Sequence, residues 1–349
     1  MIENGRKIKI GYTSQHCCIR VIKISRALLK TGKYEIHGLA NQLSYGTEFF
    51  NTMSFYHSNR QFAQSVKRMS DMDIWIHANE PNHQVNRIRR ELPDAKIILD
   101  GHDFDGIRCG VIPLDEMRAL TNCDGVIFVS DEVKAFMLEL HRDQLKDKKI
   151  ITLTHYCNDE FVPRETPSVN QRHGLVYEGG AQSPPYEGKA FAYRHMYPLF
   201  QQLVNQGIEL HLMFGNIDAT RNYSNIGAFV YEPQMYPELM KKMMGMKWGA
   251  IIFNNANRSQ QQVNLTLCNK MFEYFACGLP IVVFGAPATE DWIRKNGGGI
   301  IVDDLNDVTP QFLESKYAEK RAEVDKIREG LTMEKHIGIL DQMITEMVN

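Results

Sequence analysis

One stretch, Asn264–Asp304, constrains the fold of this chain more than any other part of its sequence. Lys270–Cys277 has the apolar spacing of an amphipathic helix, and Gly278 is placed to end it. Ile281–Phe284 is a short apolar run typical of a buried strand. A second helical segment and a glycine-rich turn then lead to an apolar run at 300–302. Helix, strand, helix and strand in this order predict part of a parallel α/β sheet.

The rest of the chain repeats this alternation in two blocks. The first block begins with the strand-like run Lys7–Gly11, and the second with Leu175–Tyr177, after a polar, proline-bearing linker near Pro163–Arg172. We therefore predict an α/β protein with two tandem Rossmann-like, doubly wound domains that face a cleft, and with closing C-terminal helices. The predicted segments are an N-terminal domain at 1–165, a C-terminal domain at 166–330, and a helix at 331–349 that could pack back on the N-terminal domain.

Composition excludes several classes of protein. The 349 residues are 43% hydrophobic and 23% charged, as in ordinary globular proteins. A formal net charge of −2 gives no general nucleic-acid signal, so we expect no nucleic-acid partner. No apolar run approaches the roughly 18 residues that a membrane span needs, and the amino terminus does not read as a signal peptide. The seven cysteines lack paired metal spacing, and the expected location is cytoplasmic.

The helix and strand at the centre of the opening stretch carry a more specific pattern. Lys270, Glu273, Gly278 and Pro280 stand in the order K-x-x-E-Y-x-A-x-G-x-P, followed by apolar residues. This order resembles the donor-binding segment of glycosyltransferases with the GT-B fold, nearest to the large retaining family 4. CDGVIFVSDEVKAFM, the connector Asn158–Pro163 and LVYEGG also resemble segments of those enzymes.

The resemblance implies an activity. It implies transfer of a sugar from a nucleotide-diphosphate sugar to an acceptor, with retention at the anomeric carbon and without a metal or other cofactor. The acceptor would be a glycan, a lipid-linked sugar or a small molecule, and the enzyme could work at the inner face of the membrane. The oligomeric state does not follow from the sequence.

The donor would lie against the C-terminal domain. The resemblance assigns Glu273 to the ribose hydroxyls and places Lys270 nearer the phosphates; the alternative is an i,i+3 ion pair on an exposed helix face. Gly179 and Gly180 end a predicted strand, where glycine lets backbone N–H groups approach a phosphate. The remaining donor-site candidates are Lys189 and Asn264. Family members often carry a second glutamate eight residues before the one that corresponds to Glu273, and this chain has Leu265 at that position.

Three residues of the N-terminal domain are candidate catalytic groups. His77, His102 and Asp103 follow predicted strands, where ligands of open α/β sheets bind. The segment around His77, IHANEPN, resembles the H-x-H-E-P-N segment of some family 4 mannosyltransferases, with Asn79 at the second histidine. The alternative for each histidine is a structural role in a loop or core. Asp103 and Asp105 also form a D-x-D pair, which could hold a divalent metal, but the tandem architecture favours a site without one.

Four further side chains are candidates for phosphate or acceptor contacts. These are His16, Arg20, Arg194 and Arg258. A basic helix face with Arg87, Arg89 and Arg90 could touch an anionic membrane surface or acceptor, although a solvated face is the more common reason for such a pattern. Two other functions remain open: a nucleotide-sugar 2-epimerase with the same architecture, and a nucleotide-sugar-binding protein without catalysis.

Overall fold

A computed structural model describes residues 6–78, 82–163, 171–182, 192–254, 260–265 and 267–349. The chain divides into two compact units. Unit 1 comprises Met1–Asn158 and Met333–Asn349, and unit 2 comprises Asp159–Thr332. The observed division therefore falls at 158/159 and 332/333, whereas the sequence placed it after 165 and 330.

Unit 1 is built on a parallel sheet. Its strands, as far as the residues are described, are β1 (Ile8–Thr13), β2 (Tyr34–Ala40), β3 (Thr52–Phe55), β4 (Ile74–Ala78), β5 (Ile97–Gly101), β6 (Gly125–Phe128) and β7 (Lys149–Thr152). Their order in the sheet is β3-β2-β1-β4-β5-β6-β7. The central strands β4, β5 and β6 are buried along their whole length, as continuous apolar runs require when helices cover both faces.

Helices connect these strands. They are α1 (Ile19–Lys30), α2 (Asn59–Arg68), α3 (His83–Glu91), α4 (Asp105–Cys109), α5 (Leu114–Asn122), α6 (Asp131–Leu140) and α7 (Arg142–Leu145). Local chemistry sets their ends. At the start of α6, for example, Ser130 Oγ accepts from the Val133 N–H at 3.1 Å, which satisfies one of the first unpaired backbone donors of the helix.

Unit 2 repeats the plan. Its strands are β8 (His173–Gly179), β9 (Leu210–Phe214), β10 (Phe229–Tyr231), β11 (Met246–Ile252), β12 (Ile281–Phe284) and β13 (Gly299–Ile301), all parallel, in the order β10-β9-β8-β11-β12-β13. Its helices within the described ranges are α8 (Tyr197–Asn205), α9 (Ile217–Asn222), α10 (Tyr236–Met243), α11 (Gln260–Leu265), α12 (Asn269–Ala276), α13 (Pro287–Asn296) and α14 (Pro310–Ile327).

The chain ends by returning to unit 1. The Met333 N–H donates to the Cys157 carbonyl at 2.7 Å, and α15 (Met333–His336) and α16 (Gly338–Val348) follow. Leu340 and Ile344 of α16 are fully buried in the core of unit 1. Burial of two such side chains stabilises unit 1 by about 3–6 kcal/mol. The terminal helix is therefore an integral part of unit 1.

Both sheets have a point at which the strand order reverses. In unit 1 it lies between β1 and β4, and in unit 2 between β8 and β11. Helices leave such a point on opposite faces of the sheet, which opens a crevice outside the carboxyl ends of the two strands. The topology therefore gives each unit one favoured place for a ligand.

Candidate functional site

The favoured place in unit 2 lies at the end of β8. Gly179, the last residue of that strand, has φ +116°, a conformation that residues with a side chain rarely adopt. A Cβ at this position would lie 3.2 Å from Nζ of Lys270. Lys270 is the second residue of α12, and the side chain of Cys268, which precedes the helix, does not cap it. The predicted glycine turn and the predicted lysine therefore meet at a helix amino terminus, which suits an anion.

Lys270 keeps its charge although it is only 9% exposed. Its Nζ donates to Tyr177 Oη at 3.2 Å and lies 4.4 Å from the centre of that ring and 5.3 Å from that of Phe253. Burial alone would lower the pKa of Lys270, but the Tyr177 oxygen and the Glu178 carboxylate outweigh burial and raise that pKa above its ordinary value. The site thus contains a largely buried ammonium group beside an open backbone turn.

Glu273 lies one turn further along α12 and is 3% exposed. One of its carboxylate oxygens accepts from Tyr236 Oη at 3.0 Å. Tyr236 is itself held edge-on against Phe161, with 4.9 Å between the ring centres. Lys270 and Glu273 are therefore not an ion pair on an exposed helix face, because both side chains are buried.

Arg194 brings a second cation to the same strand end. It lies in a short 3-10 turn at Ala192–Arg194, and a Cβ at Gly180 would be 3.1 Å from its Nη1. The structure therefore gathers four predicted residues: the two adjacent glycines, Lys270 and Arg194. Asn264 is half-buried near the end of α11. Lys189 and Arg258 lie outside the described residues.

In unit 1, His77 is buried within the sheet. It is fully inaccessible on β4, and its Nδ1 lies 2.8 Å from Thr13 Oγ1 on the neighbouring strand. The hydrogen bond fixes the ring at the point where the strand order reverses. The segment that follows, with Asn79, lies outside the described residues.

His102 pairs with a residue that the sequence analysis did not single out. Its Nε2 lies 4.0 Å from Sγ of Cys18, the residue that precedes α1. Burial alone would lower the pKa of His102, but the Cys18 sulfur, followed by the carboxylates of Asp103 and Asp100, raises that pKa to about 9. Burial in turn would raise the pKa of Cys18, and His102 outweighs it and lowers that pKa. The Cys18 sulfur and the His102 ring therefore face each other after β1 and β5, and each shifts the pKa of the other toward its charged form.

Arg20 does not fit its predicted role as a phosphate or acceptor contact. Its side chain is fully buried, and Nε and Nη2 donate to the two oxygens of Asp100 at 2.8–3.1 Å. Nη2 also donates to the Leu153 carbonyl at 2.8 Å, and Tyr12 Oη donates to Asp100 at 3.3 Å. Because these bonds use the guanidinium inside the core, the arginine holds α1 against the sheet instead.

A polar cavity of about 450 Å³ opens at the carboxyl ends of β1–β4. It is lined by Gln15, Asn41, Gln42, Tyr56, His57, Ser58, Asn59, His83 and Gln84. His16, a predicted contact residue, is exposed next to this lining. The cavity offers hydroxyl, amide and imidazole groups, which suit a polyhydroxylated ligand.

Two weaker predictions change in the structure. Asp105 of the D-x-D pair accepts from Arg108 at 2.5 Å within α4. In the basic face of α3, Arg89 donates to the Asn122 carbonyl and to Asp124 at 2.8–3.1 Å. Arg89 therefore ties α3 to its neighbours rather than to a membrane surface.

Across the described ranges, helices long and apolar enough to span a membrane are absent.

Comparisons with known proteins agree with this architecture. Residues 191–338 match the family described as "Glucosyltransferase 3-like, C-terminal domain". A curated relative, Glucosyltransferase 3 of Streptococcus gordonii, is 25% identical over 115 residues, which is 33% of this chain and 29% of that protein. The match thus spans less than a third of that relative.

Solved structures match nearly the whole chain. An alpha-glucosyltransferase in complex with UDP and DNA is 12% identical, with a TM-score of 0.68, over 97% of this chain and 99% of that one. Sucrose-phosphate synthase from Thermosynechococcus elongatus is 12% identical, with a TM-score of 0.68, over 97% and 100%. The predicted GT-B fold is confirmed, and so is the resemblance to glycosyltransferases.

The expectation that nucleic acid is excluded as a partner is wrong. Three of the matching structures are alpha-glucosyltransferases bound to DNA, one of them with UDP-glucose. That expectation came from the net charge, which sums the whole surface and does not show how charge is distributed locally. Neither the charge nor the fold excludes a nucleic-acid acceptor.

Proposed function

We propose that this protein transfers a sugar, with glucose as the first candidate, from a nucleotide-diphosphate sugar to an acceptor hydroxyl. One observation carries the proposal: the buried ammonium of Lys270 lies beside the open turn of Gly179 at the point where the strand order of unit 2 reverses. The match of residues 191–338 to a glucosyltransferase family supports it, since that match includes this lysine.

The leaving group would be held by unit 2. The diphosphate would lie over Gly179 and Gly180, with charge supplied by Lys270 and Arg194 and by the amino terminus of α12. Glu273 would accept from the two ribose hydroxyls, because a carboxylate can accept from both members of a diol. The Tyr236 hydroxyl fixes the carboxylate for this contact.

Retention and independence from metal are part of the proposal. The two cations of the site would neutralise the developing charge on the diphosphate, which is the main electrostatic requirement of the reaction. Retention rests on the family resemblance alone. Leu265 replaces the second glutamate of many retaining enzymes, so the sugar would be read by other groups.

Unit 1 would bind the acceptor in the polar cavity at the ends of β1–β4. With its pKa raised to about 9, His102 is protonated at neutral pH, and at its own place after β5 it would act as a hydrogen-bond donor rather than as a general base. Acceptors within the proposal are glycans, lipid-linked sugars, small molecules and hydroxylated nucleic-acid bases. The proposed location is the cytoplasm, including the inner face of its membrane.

A binding panel followed by a turnover assay tests the proposal. Nucleoside diphosphates and their sugars would be titrated by calorimetry, and donor hydrolysis would then be followed with and without acceptor. We expect at least one nucleotide sugar to bind, to hydrolyse slowly, and to turn over faster with an acceptor. Binding without turnover would support a binding protein instead, epimer formation without acceptor would support an epimerase, and no binding at all would refute a donor site.

A further inference from the structure

A second group of polar side chains lies at the opposite edge of the unit 2 sheet. His173 begins β8, Glu209 directly precedes β9, and His211 is the second residue of β9. His173 Nδ1 and His211 Nε2 lie 2.5 and 2.9 Å from the same oxygen of Glu209. One donor atom from each of the three residues falls within 4.8 Å of the other two. Two imidazoles and a carboxylate thus converge on one point.

The backbone is shaped to allow this convergence. Gly174 has φ +66°, and a Cβ there would lie 2.6 Å from Nε2 of His211 and 2.9 Å from the Glu209 carbonyl oxygen. Any side chain at this position would therefore displace the histidine ring. The glycine lets the strand that carries His173 pass close to the ring of His211.

His211 is also oriented from behind. Its Nδ1 lies 2.8 Å from Tyr231 Oη, and its ring stacks on Phe229 with 4.9 Å between ring centres. The His211 side chain is 2% exposed, whereas the side chains of His173 and Glu209 are 54% and 44% exposed. A histidine ligand whose second ring nitrogen is hydrogen-bonded is a common arrangement at metal sites. Because the side chains of His173 and Glu209 are exposed, rotation about their side-chain bonds could open the present hydrogen-bond distances to the spacing that a cation needs.

We propose that His173, Glu209 and His211 form a binding site for a divalent cation of the zinc class. Zn²⁺ takes imidazole nitrogen and carboxylate oxygen in tetrahedral sets, and three protein ligands leave one position open. A cavity of about 330 Å³ adjoins the cluster, and His173 and Glu209 are part of its lining, together with Lys247 and Glu314. The open position therefore has room for water or a small anionic ligand.

The site is separate from the proposed donor site. It lies at the amino ends of β8 and β9, whereas Gly179 and Lys270 lie at the carboxyl end of β8. A cation there would join two neighbouring strands, and its effect would be on the stability of unit 2. Cation binding there would not require the proposed transfer reaction.

Calorimetric titration of tag-free, chelator-treated protein with Zn²⁺ tests the inference. We expect one ion per chain with a dissociation constant in the micromolar range or tighter. Glu209→Gln and His173→Gln should each weaken binding by at least about 100-fold, since even loss of an outer hydrogen-bond partner costs about 10–100-fold. Zn²⁺ at about 100 times its dissociation constant should raise the Tm of the wild type by roughly 5 °C and that of the variants by much less.

The matched control is His37→Gln in unit 1. That half-buried histidine also lies beside a glutamate, with 4.0 Å between His37 Nε2 and Glu35 Oε2, and its Nδ1 contacts Thr52 Oγ1 at 2.8 Å, but among the described residues this pair lacks a third metal ligand. Its substitution should leave Zn²⁺ affinity unchanged. Both test residues are exposed, so their variants should fold, and circular dichroism would confirm this. The proposal is overturned if the wild type binds Zn²⁺ no better than the two variants, or if only the control changes affinity.

Discussion

Replacement of Lys270 by methionine tests the central feature of the proposed donor site. The substitution removes the positive charge and keeps a long apolar side chain against the rings of Tyr177 and Phe253. A hydrogen bond to a charged group contributes about 1.5–3 kcal/mol. Since about 1.4 kcal/mol corresponds to a factor of ten in affinity, UDP should bind about 10- to 150-fold more weakly.

The same substitution should not destabilise the fold. Lys270 is 9% exposed, and its ammonium loses hydration on burial while gaining one hydrogen bond and two ring contacts. Burial of an ammonium is costly, but these contacts and the Glu178 carboxylate offset that cost, so a methionine there should leave the free energy of unfolding nearly unchanged. Lower affinity together with unchanged or greater stability is the signature of a residue kept for its ligand.

Calorimetry with UDP and denaturant unfolding would measure the two quantities. Lys242→Met is the matched control, because Lys242 Nζ also lies over a tyrosine ring, 4.1 Å from the centre of Tyr231. The control should bind UDP normally. The reasoning is refuted if Lys270→Met keeps wild-type affinity for every nucleotide that the wild type binds. It is refuted equally if the variant loses enough stability to explain weaker binding.

Two further predictions concern the other predicted residues. Glu273→Gln keeps an acceptor for the Tyr236 hydroxyl but loses the negative charge. We therefore expect about 10-fold weaker binding of nucleotides that carry both ribose hydroxyls, and little change for their 2′-deoxy analogues. Calorimetry would measure both affinities, and equal losses for the two kinds of nucleotide would contradict contact with the diol. The thiolate is the form of cysteine that iodoacetamide alkylates, and the thiolate fraction rises as the pH passes the pKa. Because the pKa of Cys18 is lowered, its alkylation should begin at a lower pH than that of an ordinary thiol. His102→Gln should move the alkylation profile back to higher pH, as followed by peptide mass spectrometry, and an unchanged profile would exclude the pairing.

Periodicity predicted most of the scaffold because buried strands and helices have strong patterns. Ile281–Phe284 is observed with the predicted bounds, and the helix predicted at Lys270–Cys277 is observed at Asn269–Ala276. Thr52–Phe55 was missed: β3 is a short edge strand with no buried residue, so its sequence carries no apolar run. A pattern method detects burial, and an edge strand is defined instead by its backbone pairing with β2.

Among the candidate site residues, too, those with local sequence patterns were predicted and those that depend on long-range contacts were missed. Gly179, Lys270 and Glu273 could be found because a strand end and a helix start are local features, and the order of residues between them is specific. His173 and His211 were missed, since they are 38 positions apart in the sequence and meet only through the sheet pairing of β8 with β9. The weak signals were His173-Gly174 before an apolar run and Glu-x-His at the next strand.

The predicted phosphate or acceptor contact of Arg20 failed because its buried partner is distant in the sequence. The sequence places it beside a loop at the ligand-binding edge, and a phosphate contact follows from that position. Its partner Asp100 is 80 residues away, and nothing local indicates that the two side chains meet inside the core. An arginine kept for a phosphate and one kept for a buried carboxylate differ in what their removal does to stability.

That difference gives a prediction with a clear sign. Arg20→Met leaves the fully buried carboxylate of Asp100 without its cation, and loss of one partner of a buried pair costs about 3–5 kcal/mol. Replacement of both residues, Arg20→Met with Asp100→Leu, should restore part of that loss, because neither charge of this pair then remains buried without its partner. Urea unfolding measures both, with the exposed Arg90→Met as the control that should change stability by less than about 0.5 kcal/mol. A single variant with normal stability and weakened nucleotide binding would restore the phosphate role and contradict the structural one.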